Sequence, residues 1–131
     1  LDRLGSPGIG VALDTDTMLP AASQGAIGVE TRADDVALIS LLAAINHPPT
    51  RTAVDAERAL LAELVADCHS PVGAYACWQQ ETLMLTAELL SGDGRDHVRD
   101  TIVVDNADAP AVLARRLLEQ ATPELRALFG G

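Results

Sequence analysis

The sequence predicts an α+β domain built on a three-stranded antiparallel sheet with helices on one face. After Pro71 the hydrophobic period changes from that of a helix to the strict alternation of a half-buried strand. Three such alternating stretches are joined by short turns, one of them containing Asp93-Gly94, a strong hairpin signal. Helical periodicity precedes and follows them, so from about residue 50 the order is helix, three strands, helix, which layers as helices packed on a sheet.

The elements follow in chain order. Residues 1–18 read as loop, punctuated by Gly5, Pro7, Gly8 and Gly10. A short strand is expected at Ala26–Glu30. Residues 33–46 read as a helix, because Val36, Ile39, Leu42 and Ala43 recur at three- and four-residue spacing and Asp34 and Asp35 suit its first turn. Pro48-Pro49 is expected to stop any helix and mark a linker. The strongest helical pattern runs from about Thr52 to Val65. Thr52 and Asp55 fit a capping box, Val54, Leu60, Leu61, Leu64 and Val65 form the stripe, and Asp55 faces Arg58 on the wet side.

Residues 72–79 then set Val72, Ala74, Ala76 and Trp78 against Gly73, Tyr75 and Cys77. Residues 82–90 set Leu83, Leu85, Ala87 and Leu89 against Thr82, Met84, Thr86 and Glu88, and His97–Val104 gives a third strand. A last long helix is expected from Asp108 to Gln120, with Val112, Leu113, Leu117 and Leu118 inward. Thr122-Pro123 opens a short helix that Gly130 ends.

Composition removes several function classes. The net charge is −10, which repels nucleic-acid phosphates and anionic membrane surfaces. With one Trp, one Tyr and one Phe, the chain lacks a base-stacking platform. All nine basic residues are Arg, which removes Schiff-base chemistry and the phosphate-loop lysine. No apolar run reaches the ~18 residues of a membrane span. Two cysteines make no disulfide framework, so the cytoplasm is the expected compartment. The opening on Leu1, with no clean element start, predicts the C-terminal part of a longer protein.

Few residues invite chemistry on their own. Cys68 stands in the loop Ala66-Asp67-Cys68-His69-Ser70-Pro71, between the strong helix and the first strand. The helix C-terminus and Asp67 both work against a free thiolate, so this sulfur suits one bond made and kept better than a bond made at every turnover. By composition alone Cys68 reads as incidental, His69 as a solvated loop histidine and Cys77 as packing. His47, His69 and His97 show no metal-ligand spacing with the cysteines. Gln24-Gly25-Ala26-Ile27-Gly28 is too incomplete for a nucleotide loop. Asp14 and Asp16 read as solvated acids.

Two stretches together carry a more specific pattern. Leu19-Pro20-Ala21-Ala22-Ser23-Gln24-Gly25-Ala26-Ile27-Gly28-Val29-Glu30 is the first. Asn46-His47, Thr50, Val54, Ala56-Glu57-Arg58-Ala59 and Cys68-His69-Ser70-Pro71-Val72-Gly73-Ala74-Tyr75 make the second. In order and spacing they resemble the C-terminal part of the hydroxymethylbilane synthase (porphobilinogen deaminase) family, over almost the whole chain and most weakly after residue 91. The resemblance implies a three-domain transferase of tetrapyrrole biosynthesis. That enzyme condenses four porphobilinogen molecules into hydroxymethylbilane with release of ammonia, on a dipyrromethane cofactor held by a thioether.

Carried over residue by residue, the resemblance makes Cys68 the covalent cofactor anchor. It matches Arg3 to an arginine that grips the acidic side chains of the cofactor or growing chain, and places Gln24 on the segment lining the cleft. Residues 1–47 would hold the end of domain two, the return strand and the last helix of domain one. Residues 48–131 would be the cofactor-anchoring domain three. The family's catalytic aspartate and most of its carboxylate-binding cations lie upstream of the matched region, so no catalytic residue is assigned here and the chain alone is expected to be inactive.

Where the family commonly has small residues before the cysteine this chain has Ala66-Asp67, and an acid there is expected to slow cofactor assembly or crowd the cofactor. The implied partners are porphobilinogen, the growing tetrapyrrole and the N-terminal domains of the same enzyme, with no nucleic acid, membrane or metal. Two other readings stand beside this one: a non-catalytic binding or interaction remnant of the same fold, and an independent thiol enzyme using Cys68 and His69. The apolar face Val36, Ile39 and Leu42 predicts a chain that is partly oligomeric or frayed before residue 48.

Overall fold

A computed structural model describes Gly5 and residues 8–129. Its elements are α1 (Val36–Leu42), one turn of 3-10 helix (Ala43–Ile45), α2 (Pro48–Glu63), β1 (Val72–Gln79), β2 (Thr82–Leu90), β3 (His97–Val103), α3 (Ala109–Gln120) and α4 (Pro123–Arg126). The strands form one antiparallel sheet in the order β1-β2-β3. Alternation sets the register: Ala74 pairs with Ala87, Ala76 with Leu85, and Leu85 in turn with Ile102, so small and branched apolar residues share one face.

Helices α2 and α3 cover that face. Leu60 of α2 and Leu64 at its C-cap, Leu85 and Leu89 of β2, Leu113 and Leu117 of α3 and Leu125 of α4 are fully buried together. The opposite face carries Tyr75, Met84, Thr86 and Thr101, and the two threonine hydroxyls are hydrogen bonded across the strands at 2.9 Å. At the chain's end, Thr122 caps α4 by accepting from Leu125 N–H, while the Arg126 guanidinium donates back to the Leu118 carbonyl at 2.8 Å.

Several expectations are corrected. Pro48 and Pro49 begin α2 rather than forming a linker: they occupy its first turn, where a missing N–H costs nothing. Thr52 is therefore inside the helix, donating its hydroxyl to Pro48 O at 3.1 Å, and is no cap. Asp55 pairs with Arg51, one turn earlier, at 2.8 Å, while Arg58 turns to Ser23. The buried stripe of α2 is Ala53, Ala56, Glu57 and Leu60, continued by Leu64 at its C-cap; Val54 and Leu61 are half-buried and Val65 is exposed. In α3, Val112 points outward.

No strand forms at 26–30; Ile27 is 95% exposed. Helix α1 is shorter than expected, with Asp35 as its N-cap accepting from Leu38 N–H at 3.0 Å. It buries no residue, and Val36 and Ile39 of its apolar face stand exposed. Residues 14–18 form a turn in which Asp14 accepts from the Asp16 N–H, and Arg99 of β3 donates to Asp16 O at 2.7 Å.

Candidate functional site

The C-terminus of α2 launches the loop that carries Cys68. The helix closes in a Schellman arrangement, with Ala66 N–H donating to Leu61 O at 3.0 Å and Val65 N–H to Ala62 O at 3.2 Å. Val65 turns the chain out at φ 52°, a left-handed position that usually falls to glycine and strains a β-branched residue. Residues 67–70 are clasped by their own side chains. Asp67 Oδ1 accepts from His69 N–H at 2.8 Å, from Ser70 N–H at 3.1 Å and from the Ser70 hydroxyl at 3.1 Å. Ser70 Oγ accepts in return from Asp67 N–H at 2.9 Å.

The backbone bond from His69, followed by the Ser70 hydroxyl, holds the Asp67 carboxyl below the ordinary aspartate range. Pro71 O then accepts from Leu90 N–H at 3.0 Å, fixing the loop's exit to the end of β2. Cys68 stands in this braced loop as an exposed free thiol. A sulfur so placed can carry a substituent without repacking the core.

A second environment lies around the N-terminal half of α2. A cleft of about 490 Å³ opens between α2, the end of β1 and the turn at residues 20–26, lined among others by Gln24, His47, Glu57, Tyr75 and Trp78. The turn lies along the free edge of β1, where Ala74 N–H donates to Pro20 O at 3.0 Å. Gln24 Oε1 accepts from Ala21 N–H at 3.1 Å and closes the turn on itself. Trp78 Nε1–H donates to Pro49 O at 3.0 Å, and His47 Nδ1 is hydrogen bonded to the Thr50 hydroxyl at 2.8 Å.

Of the residues singled out by sequence, Gln24 lines this cleft and Cys68 is not among its lining residues. Arg3 lies outside the described residues. Glu57 was missed. It is 6% exposed and spends both carboxylate oxygens on backbone amides, Oε1 on Ala76 N–H at 2.7 Å and Oε2 on Ser23 N–H at 2.6 Å. The available signal was its spacing: Glu57 stands three and seven residues before Leu60 and Leu64, on their face of the helix. Among the described residues no three His, Cys, Asp or Glu side chains gather as a metal site, and no helix is long and apolar enough to cross a membrane.

Comparison with known proteins bears on both environments. Residues 51–122 match a family model described as the C-terminal domain of porphobilinogen deaminase, and residues 1–40 match its dipyrromethane cofactor binding domain. The chain is 57% identical over 130 residues to a porphobilinogen deaminase of Sphingopyxis alaskensis, covering 98% of this chain and 41% of that protein. It is 46% identical over 110 residues to one from Moorella thermoacetica, covering 82% and 35%, and 44% identical over 122 residues to one from Trichlorobacter lovleyi, covering 90% and 39%. The chain thus spans about two fifths of the length of these relatives. The C-terminal match alone takes in more than half of the chain, with the sheet, α3 and the Cys68 loop inside it, and on that match the chain belongs to the porphobilinogen deaminase family.

Proposed function

We propose that this chain is the cofactor-anchoring C-terminal part of a hydroxymethylbilane synthase, a transferase joining four porphobilinogen units with loss of ammonia in tetrapyrrole biosynthesis. Residues 48–131 form the anchoring lobe, and residues 1–47 belong to the ends of the other two domains. The observation that carries this reading is the exposed thiol of Cys68 in a loop braced at both ends, inside the stretch that matches the family's C-terminal domain.

The dipyrromethane supplies the primer on which pyrroles are added. Cys68 would hold it through a thioether, the sulfur taking the place of the amino group on an aminomethyl carbon and the thiol proton leaving with the ammonia. Gln24, on the cleft wall, and Arg3 contact the acetate and propionate groups that every pyrrole unit carries; a guanidinium suits a carboxylate in a bidentate pair. With a net charge of −10 the chain repels such a polyanion, so it needs the cations of the N-terminal domains and is inactive alone.

The test is an intact mass of the chain after co-expression with a matching N-terminal part in cells that make porphobilinogen. A gain of two pyrrole units that disappears in Cys68→Ser supports the assignment. An unmodified chain in a confirmed assembly would leave only a non-catalytic binding remnant of this fold.

A further inference from the structure

We propose that Glu57 is a positioning residue, holding Ser23 and through it Gln24 on the wall of the cleft between α2 and β1. A core-facing helix position next to Leu60 and Leu64 normally falls to an aliphatic residue, and burying a carboxylate there carries a desolvation cost. Two charge-assisted bonds offset it. Ala76 N–H points off the free edge of β1, and Glu57 Oε1 meets it at 2.7 Å; Glu57 Oε2 meets Ser23 N–H at 2.6 Å. The neighbouring Arg58 donates from Nε to Ser23 Oγ at 3.2 Å, so consecutive residues of one helix take hold of the backbone and the side chain of Ser23.

Ser23 needs that hold. Its φ is 63°, and Gly25 follows at 83°, so Gln24 sits between two left-handed residues, one of them not glycine. Such a conformation persists where the surroundings over-determine it. An aliphatic residue at 57 would fill the core yet strand two amides and release the turn.

The role rests on the reading of Gln24 as a contact for the acidic pyrrole chain, and the experiment separates the two. In the unmutated chain, through-hydrogen-bond couplings are expected from the Ser23 and Ala76 amide nitrogens to the Glu57 carboxyl carbon. Glu57→Gln, which keeps the shape but lacks the second acceptor oxygen, is expected to speed exchange of one of these amides at least about tenfold while the β1–β2 ladder stays protected. Absent couplings overturn the clasp whatever the variant does.

In the assembled synthase, Glu57→Gln is expected to raise KM for porphobilinogen about tenfold with kcat little changed. Gln24→Ala is expected to do the same, and the double variant to lose no more than either. Additive losses, or a fall in kcat alone, would overturn the positioning role even with dipyrromethane present on Cys68. An assembly without dipyrromethane would sink the synthase reading while the couplings still judged the clasp.

Discussion

Leu19 lies over Gly73 so closely that a Cβ on the glycine would stand 2.8 Å from the Leu19 Cβ. The contact closes the first residues of β1 under the segment that leads to Gln24, and Leu19 is buried by it. Leu19 cannot simply swing aside, because the next residue is tied to the same strand, Pro20 O accepting from Ala74 N–H at 3.0 Å. Gly73→Ala is expected to destabilise by about 1–3 kcal/mol, the usual range for overpacking. It should also detach residues 19–25 first. Faster amide exchange at Ala74 than at Ala87, before global unfolding, is the observation that checks it.

Val65 predicts a change of the opposite sign. It occupies the left-handed C′ position of α2 at φ 52° and is 63% exposed, so it is strained and contributes little burial. A residue held there costs of order 1–3 kcal/mol, against about 0.5–1 kcal/mol of extra chain entropy for glycine. Val65→Gly is therefore expected to stabilise by about 1 kcal/mol, raising the thermal midpoint by a few degrees. A lower midpoint would show that the strain is relieved elsewhere.

The core sets a third expectation. Leu60 is fully buried in the core shared by the sheet and its covering helices, whereas Val36 of α1 is 71% exposed. Leu60→Ala should cost about 2–5 kcal/mol and Val36→Ala within about 0.5 kcal/mol. Equal shifts in a denaturant titration would mean that α1 is buried in solution.

The sheet was legible because its determinants are local. Leu83 to Leu89 alternate buried and half-buried without interruption, β1 keeps the same period from Ala74 to Cys77 before Trp78 turns out to the cleft, and both strands occupy the expected residues. The start of α2 was misread because two prolines end a helix when interior but open one when first, and only the hydrogen bonds distinguish the cases. Ala26–Glu30 has strand-like residues but no partner strand, so propensity alone forms nothing there. The thiol loop was legible as a loop, yet the Asp67–Ser70 clasp that shapes it needs side-chain geometry. Glu57 lay furthest from view: its partners are 34 and 19 residues away, and no local pattern shows why an acid belongs in that stripe.

The Asp67 clasp makes the Cys68 loop sensitive to acid in a definite direction. Its carboxyl is held below the ordinary aspartate range chiefly by the His69 N–H and next by the Ser70 hydroxyl, bonds that the charged form accepts best. The folded value lies below the unfolded one, so the contribution is present above the unfolded aspartate value and is lost as pH falls through the folded value. The His69 and Ser70 amide resonances should titrate together with the Asp67 carboxyl, at a midpoint below that of an unstructured aspartate. Asp67→Asn keeps an acceptor oxygen without the charge, and is expected to retain the loop but abolish this titration. Asp67→Ala should free the His69 and Ser70 amides to exchange at all pH values. Unchanged amides in Asp67→Ala would show that the Schellman turn and Pro71 brace the loop unaided.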